Sequence, residues 1–101
     1  MRSRTTPGFW ELFKALPESI RTEAKASYKR FKVDPYDPSL QFKEIKLRKN
    51  KSIWSVRVGR GYRALGVKPN DEEVVWGWIG SHADYDRLIE SKRRERGGSP
   101  E

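Results

Sequence analysis

Four side chains in the second half of the sequence could do chemistry together. Arg57 and Arg63 flank a Gly-Arg-Gly turn, and His82 and Tyr85 lie three residues apart. If Gly59, Arg60 and Gly61 form a three-residue hairpin loop, Val58 faces Tyr62 and Arg57 faces Arg63. Directly opposed residues of antiparallel strands project to the same face, and like charges placed this way cost about a few tenths of a kcal/mol. An anion or a carboxylate seated between the two arginines would offset that cost. Splaying both side chains into water would also relieve it.

His82 is the sole histidine. Ser81 can cap the helix that begins there, and Asp84 makes a weak capping box with it. His82 then falls in the first helical turn, directly after a strand. A neutral imidazole there can accept a proton, as a general base must; a histidine can equally well only decorate a helix start. Tyr85, one turn later, either joins the core or presents its hydroxyl or its ring to the same site. Lys43, Lys46, Arg48, Lys49 and Lys51 carry positive charge along the preceding strand and turn, and Arg60 adds one at the hairpin loop. Such residues suit phosphate contacts, which give affinity without sequence choice. A solvated turn has the same composition.

These residues need elements to hold them. Thr6 can cap a short helix whose first turn takes Pro7, with Phe9, Leu12, Phe13 and Leu16 on one face. A second helix follows Pro17, with Ile20, Ala24, Ser27, Tyr28 and Phe31 as its buried stripe. It ends where Pro35 and Pro38 break it. From Leu40 the pattern turns to strands: "LQFKEIKL", "IWSVRV", "YRALGV" and "EVVWGWIG". The last is β-branched and aromatic on both faces, which suits a central position. A helix with Tyr85, Leu88, Ile89 and Lys92 on one side closes the pattern. The expected fold class is α+β: an N-terminal helical hairpin on one face of a twisted antiparallel sheet of about four strands, with a short C-terminal helix.

The chain has 101 residues, which suits one domain over 1–101, folded over about 6–92 with 93–101 as a disordered tail. Lys and Arg number 22 against 14 Asp and Glu, for a net charge of +8, and the tail contributes little of it. A small basic domain points to a polyanion or an acidic protein partner. No cysteine is present, which excludes disulfides and thiolate metal sites. We expect neither a metal nor another cofactor. No long uncharged apolar run exists, so no membrane segment is expected and the protein reads as cytoplasmic.

The segments "LPESIRTEAKASYKRFKVDPYDPSLQFKEI", "WSVRVGRGYRALG" and "WIGSHADYDRLI" together resemble the RelE/ParE toxin superfamily, most of all its small RelE-like members. The resemblance spans roughly Thr6 to Ile89. It implies a toxin of a bacterial type II toxin–antitoxin pair. RelE-like members are ribosome-dependent endoribonucleases that cut mRNA without metal, by attack of the ribose 2′-hydroxyl on the adjacent phosphate. The resemblance aligns Arg63 with the arginine that contacts the scissile phosphate, Arg57 with a second basic residue of that hairpin, and His82 with a catalytic Arg or His. Tyr85 corresponds to a catalytic tyrosine. The implied partners are mRNA on the ribosome and a cognate acidic antitoxin. Two departures stand out: Ser55 and Val56 occupy positions where some relatives carry lysine, and only "RSRTT" could supply the usual first strand. Other branches inhibit DNA gyrase, and a non-toxic RelE-fold binding protein is the third expectation.

Overall fold

Thr6 ends one element and starts the next. Its N–H donates to the Trp76 carbonyl at 3.1 Å, closing a strand pairing, and its hydroxyl accepts from the Phe9 N–H at 3.1 Å. That cap, with Pro7 in the first turn, starts the helix α1 (Pro7–Lys14) straight after the strand β1 (Arg2–Thr5). The computed structural model describes residues 1–47 and 50–94. After β1 and α1 come α2 (Glu18–Val33), a 3₁₀ turn (Pro38–Leu40), β2 (Lys43–Lys46), β3 (Ser52–Val58), β4 (Tyr62–Asn70), β5 (Glu73–Ser81) and α3 (His82–Arg94).

The helical hairpin forms as its periodicity predicts. Phe9, Leu16 and Phe31 enter one cluster with Val56, Val58, Ala64, Val74, Trp76 and Ile79 of the sheet, and Phe13, Ile20 and Ala24 pack against it. The stripe is narrower than expected, because Leu12 (38% exposed) and Tyr28 (39% exposed) lie at its margins. Asp34 is extended, at φ −153° and ψ 100°, as a residue before proline tends to be, and there α2 stops.

The strand expected from Leu40 begins only at Lys43. Asp37 accepts from the Ser39 N–H at 2.9 Å and caps the 3₁₀ turn, which puts Leu40 fully into the core. Gln41 then takes a left-handed conformation, φ 48°. Such a reversal ends the turn and re-aims the chain into β2.

The sheet has five strands rather than about four, in the order β1-β5-β4-β3-β2, and it is mixed rather than purely antiparallel. β1 pairs parallel with β5, Thr5 opposite Trp76. The folded region therefore begins at Arg2, not near residue 6. "RSRT" lacks an apolar face because it is an edge strand, held by backbone pairing and by the Trp76 indole N–H donating to the Ser3 hydroxyl at 2.8 Å. β5 lies inside the sheet, between β1 and β4, as its sequence predicts. The helices do not all share one face. α3 covers the side opposite the hairpin, where Ile89 packs with Leu65 and Ile45, flanked by Trp78, Tyr85 and Leu88. α3 runs to Arg94, which pairs with Glu90 at 2.9 Å, so the expected boundary at residue 93 falls inside a helix; 95–101 lie outside the described residues. No helix among the described residues is long and apolar enough to cross a membrane.

Where β4 and β5 shift register, Gly66 comes so close to β5 that a Cβ would meet the Val75 carbonyl oxygen at 2.7 Å and the Trp76 ring at 2.9 Å. Neither partner is a flexible chain end. Gly66→Ala is expected to destabilise the fold by about 1–3 kcal/mol, the cost of overpacking. Gly77→Ala, whose Cβ meets only Thr6 Oγ1 at 3.9 Å, should stay within about 0.5 kcal/mol. Urea unfolding of the two variants checks the difference.

Candidate functional site

The hairpin between β3 and β4 sets the site. Gly59 and Gly61 adopt φ 54° and 77°, conformations that glycine takes at little cost. With those two positions left-handed, the loop spans Gly59–Gly61, and Val58 pairs with Tyr62, Arg57 with Arg63 and Ser55 with Leu65. The expected register holds. Trp54, Val56, Val58, Tyr62 and Ala64 form the face under the helical hairpin, and Arg57 and Arg63 share the other face, beside α3.

Arg63 is not an open surface arginine. It is only 6% exposed. Its Nε–H donates to the Ser55 hydroxyl at 2.6 Å, and its two terminal nitrogens approach Gln41 Oε1 at 3.5 Å and the Gln41 carbonyl at 3.4 Å. Its guanidinium carbon lies 5.5 Å from the Tyr85 ring centroid, within cation–π range. Burial holds its pKa below the ordinary arginine value; Tyr85 opposes that shift and the Arg57 charge adds to it. Arginine still keeps its proton in proteins, so the site holds a buried cation.

The ion pairs among the described residues involve neither Arg63 nor Arg57. Arg57 is half-buried and donates from Nε to the Gly59 carbonyl at 3.0 Å. Among the described residues, two adjacent guanidinium groups therefore stand without a carboxylate, and a buried cation without a counter-ion is costly. Three of Arg63's five N–H bonds are taken up by Ser55 and Gln41, all neutral acceptors. The remaining N–H groups and the Arg57 charge favour an anion at this face.

His82 starts α3 as expected. Ser81 Oγ accepts from the Asp84 N–H at 3.1 Å, and the His82 N–H donates to the Gly61 carbonyl at 2.7 Å, tying the helix start to the hairpin loop. The imidazole is exposed, 5.3 Å from the Tyr85 ring by centroids, and its Nδ1 lies 3.2 Å from Asp86. Tyr85 is half-buried between His82 and Arg63: it packs against the cluster of Ile45, Leu65 and Ile89, with its ring 5.3 Å from the imidazole and 5.5 Å from the Arg63 guanidinium carbon.

The lysines divide. Lys43 pairs with Ser55 and so shares the arginine face, whereas Lys46 pairs with Ser52 on the opposite face. Lys46 is therefore removed from the cluster, because one residue's shift along a strand reverses the face. Lys51 is exposed before β3, and Arg60 is exposed at the loop tip. Arg48 and Lys49 lie outside the described residues.

Gln41 and Asp86 are the members that sequence reasoning missed. The register that opposes the arginines also puts Ser55 beside them on the same face, which the sequence shows, but its role as acceptor for Arg63 is a finding of the structure. Gln41 reaches Arg63 across 22 positions through a left-handed turn, and no local pattern announces that.

No curated protein sequence matches the chain. Among solved structures, it superimposes on a chain of the archaeal RelE–RelB complex from Pyrococcus horikoshii with a TM-score of 0.60 at 12% identity, covering 80% of this chain and 93% of that one. The RelB–RelE antitoxin–toxin complex from Methanococcus jannaschii gives 0.59 at 15% identity, covering 85% and 98%. The YoeB/ParE toxin from Agrobacterium tumefaciens gives 0.58 at 14%, covering 81% and 99%. These likenesses concern the fold. The sequence profile of the ParE-like toxin domain matches residues 18–87, which takes in α2, the β3–β4 hairpin with its arginine pair, and the start of α3. With the sheet, the covering helices and that match in place, the chain belongs to the ParE-like toxin domain family, within the RelE/ParE superfamily of type II toxin–antitoxin toxins.

Proposed function

We propose that this toxin is a metal-independent endoribonuclease that cuts mRNA on the ribosome. One observation carries the reading: Arg63 is a buried, pre-positioned guanidinium with Arg57 opposite it and, among the described residues, no carboxylate paired to either. A phosphate passing through a transition state gains negative charge, and fixed donors already aimed at it cost no reorganisation. The 2′-oxygen bonds to phosphorus as the bond from phosphorus to the 5′-oxygen breaks, giving a 2′,3′-cyclic phosphate and a 5′-hydroxyl. His82 takes the 2′-proton: with a proton on Nδ1 toward Asp86, Nε2 keeps its lone pair. The leaving oxygen takes a proton from the Tyr85 hydroxyl, and exchange with His82 and water restores both groups. Lys43, Lys51 and Arg60 hold the flanking phosphates, with Arg48 and Lys49 beside them in sequence.

A second reading has its own support. The matching profile is ParE-like, and one structural neighbour is described as a YoeB/ParE toxin. A gyrase inhibitor on this fold would act by contact alone, with no use for His82 as a base. A supercoiling assay separates the two.

The partner we propose is a cognate antitoxin whose acidic segment covers the Arg57/Arg63 face, since RelE-type chains of this fold occur in complexes with RelB. Electrostatic steering would speed its capture. Its association rate with the purified toxin should fall as salt rises, and a rate indifferent to salt removes the charge argument.

For the nuclease, His82→Ala should slow cleavage on programmed ribosomes by roughly 10²–10⁴-fold. Arg63→Lys keeps the charge but loses the fork, and should slow cleavage by about 10²–10³-fold, as when one fixed donor is removed. If both variants cut at the wild-type rate, the site is misassigned. Ser55→Ala isolates the support of Arg63. Ser55 is 0% exposed, so the change leaves a buried charged N–H without its acceptor and should cost about 1.5–3 kcal/mol in urea unfolding. Gln41→Ala should cost less, because it removes only the 3.5 Å contact of an exposed side chain and leaves the carbonyl contact in place.

A further inference from the structure

An anion held by Arg63 must first reach it, yet the folded chain leaves Arg63 only 6% exposed. Something over the guanidinium has to give way. Its polar and ring contacts come from Ser55, Tyr85 and Gln41. Ser55 is 0% exposed and takes the Nε–H at 2.6 Å, so it is fixed. Tyr85 is packed against the cluster of Ile45, Leu65 and Ile89. Of the three, only Gln41 is exposed.

Gln41 meets the guanidinium as an oxyanion would. Its side-chain Oε1 lies 3.5 Å from one terminal nitrogen of Arg63, and its main-chain carbonyl oxygen lies 3.4 Å from the other. One residue thus presents one oxygen to each prong of the fork, as the two oxygens of a carboxylate or a phosphate do. Both oxygens are neutral, however, and both distances exceed the roughly 2.7–2.9 Å of a charge-assisted bond. An anion placed there would come closer and bind more strongly.

The backbone makes Gln41 displaceable by itself. Leu40 before it is 0% exposed, and the ring of Phe42 after it lies 5.0 Å from that of Phe31 and 4.9 Å from that of Trp54. Both neighbours are anchored in the core, so movement at Gln41 stays local. Gln41 holds φ 48° and ψ 46°, a left-handed conformation that costs any residue with a Cβ. Its N–H reaches the Pro38 carbonyl only at 3.3 Å. Its place over Arg63 is held by long contacts and carries backbone strain, so little is lost when it leaves.

We infer that Gln41 is the specificity-determining residue of the arginine site. It keeps the place of a phosphodiester, whose two non-bridging oxygens take over the terminal nitrogens of Arg63 as Gln41 turns out to solvent. Ser55 stays on Nε, so the fork keeps its direction. A halide offers a single acceptor; it would gain one contact where two are given up, and Gln41 stays against it. Arg57, on the same face, attracts anions without choosing among them. This role rests on reading the arginine pair as a phosphate site, and it does not need cleavage.

The probe is dimethyl phosphate, a phosphodiester anion without a 2′-hydroxyl, titrated into the full chain. Amide and arginine side-chain NMR signals are followed, with sodium chloride at equal ionic strength as the counterpart. The diester should shift the Gln41 side-chain amide and the Arg63 terminal N–H signals; chloride should not. Gln41→Glu puts a charged oxygen pair in the same place. It should raise the thermal midpoint and weaken diester binding about tenfold. Lys46→Gln lowers the net charge equally on the opposite face and should leave binding within about twofold. Gln41→Ala removes the side-chain competitor and should tighten binding roughly two- to fivefold. Three results overturn the role of Gln41 and leave the phosphate site standing: Gln41 signals that stay still while those of Arg63 move, chloride displacing Gln41 as readily as the diester, and Gln41→Glu weakening binding no more than Lys46→Gln. No diester binding by the wild type or by Gln41→Ala overturns that role and the phosphate site together. A chain that passes every arm and never cuts RNA loses only the nuclease reading.

Discussion

The rest of the site depends on a pair of positive charges held face to face. Arg57 and Arg63 oppose each other across β3 and β4, on the face that α3 partly covers. The tolerance for that arrangement comes from its surroundings. Ser55 and Gln41 accept hydrogen bonds from Arg63, and the Tyr85 ring receives its cationic face. These neutral groups satisfy part of the guanidinium without neutralising it. A carboxylate in the place of Ser55 would make a stronger ion pair and would also cancel the attraction for an incoming anion. The structure keeps the charge and holds its geometry, at a cost to stability that a functional site commonly carries.

Division of labour between the two sheet faces makes this possible. The hairpin-covered face takes the large aromatics, with Phe31, Phe42, Trp54 and Trp76 in edge and tilted contacts. A separate and smaller cluster of Ile45, Leu65 and Ile89 packs on the other side. The second face is then free to bury polar residues near its centre and to be closed by a single helix whose apolar contacts centre on Ile89. α3 is pinned to the hairpin loop at its first residue, through the His82 N–H and the Gly61 carbonyl. The same loop thus sets the opposition of the arginines and the position of the imidazole, so one local geometry governs both halves of the proposed chemistry.

Membership of the ParE-like toxin family fits this construction without selecting its target. The fold is shared by chains described as RelE and as YoeB/ParE, and the similarity to each is below 20%. Ser55, on the arginine face beside Arg57 and Arg63, is not a further cation but the acceptor that orients one. Function on such a fold rests on a few side chains, and fold likeness alone does not decide among chemistries.

Much of this was legible in the sequence, and the limits have physical causes. The Gly-Arg-Gly spacing suggested the hairpin register on the supposition of a three-residue loop; the left-handed Gly59 and Gly61 form that loop, and register dictates faces. The Ser81 cap and the helix after it follow from short-range hydrogen bonding. What the tertiary structure decided was long-range. β1 carries no apolar pattern, since an edge strand is held by its neighbour's backbone. Gln41 acquires its role from a 3₁₀ turn that carries it back over Arg63, and α3 lands on the opposite face of the sheet from the other helices. Above all, the burial of Arg63 could not be read from its neighbours in sequence: a charged residue on a strand looks solvated until the helix and the turn that cover it, each many residues away, are brought into place.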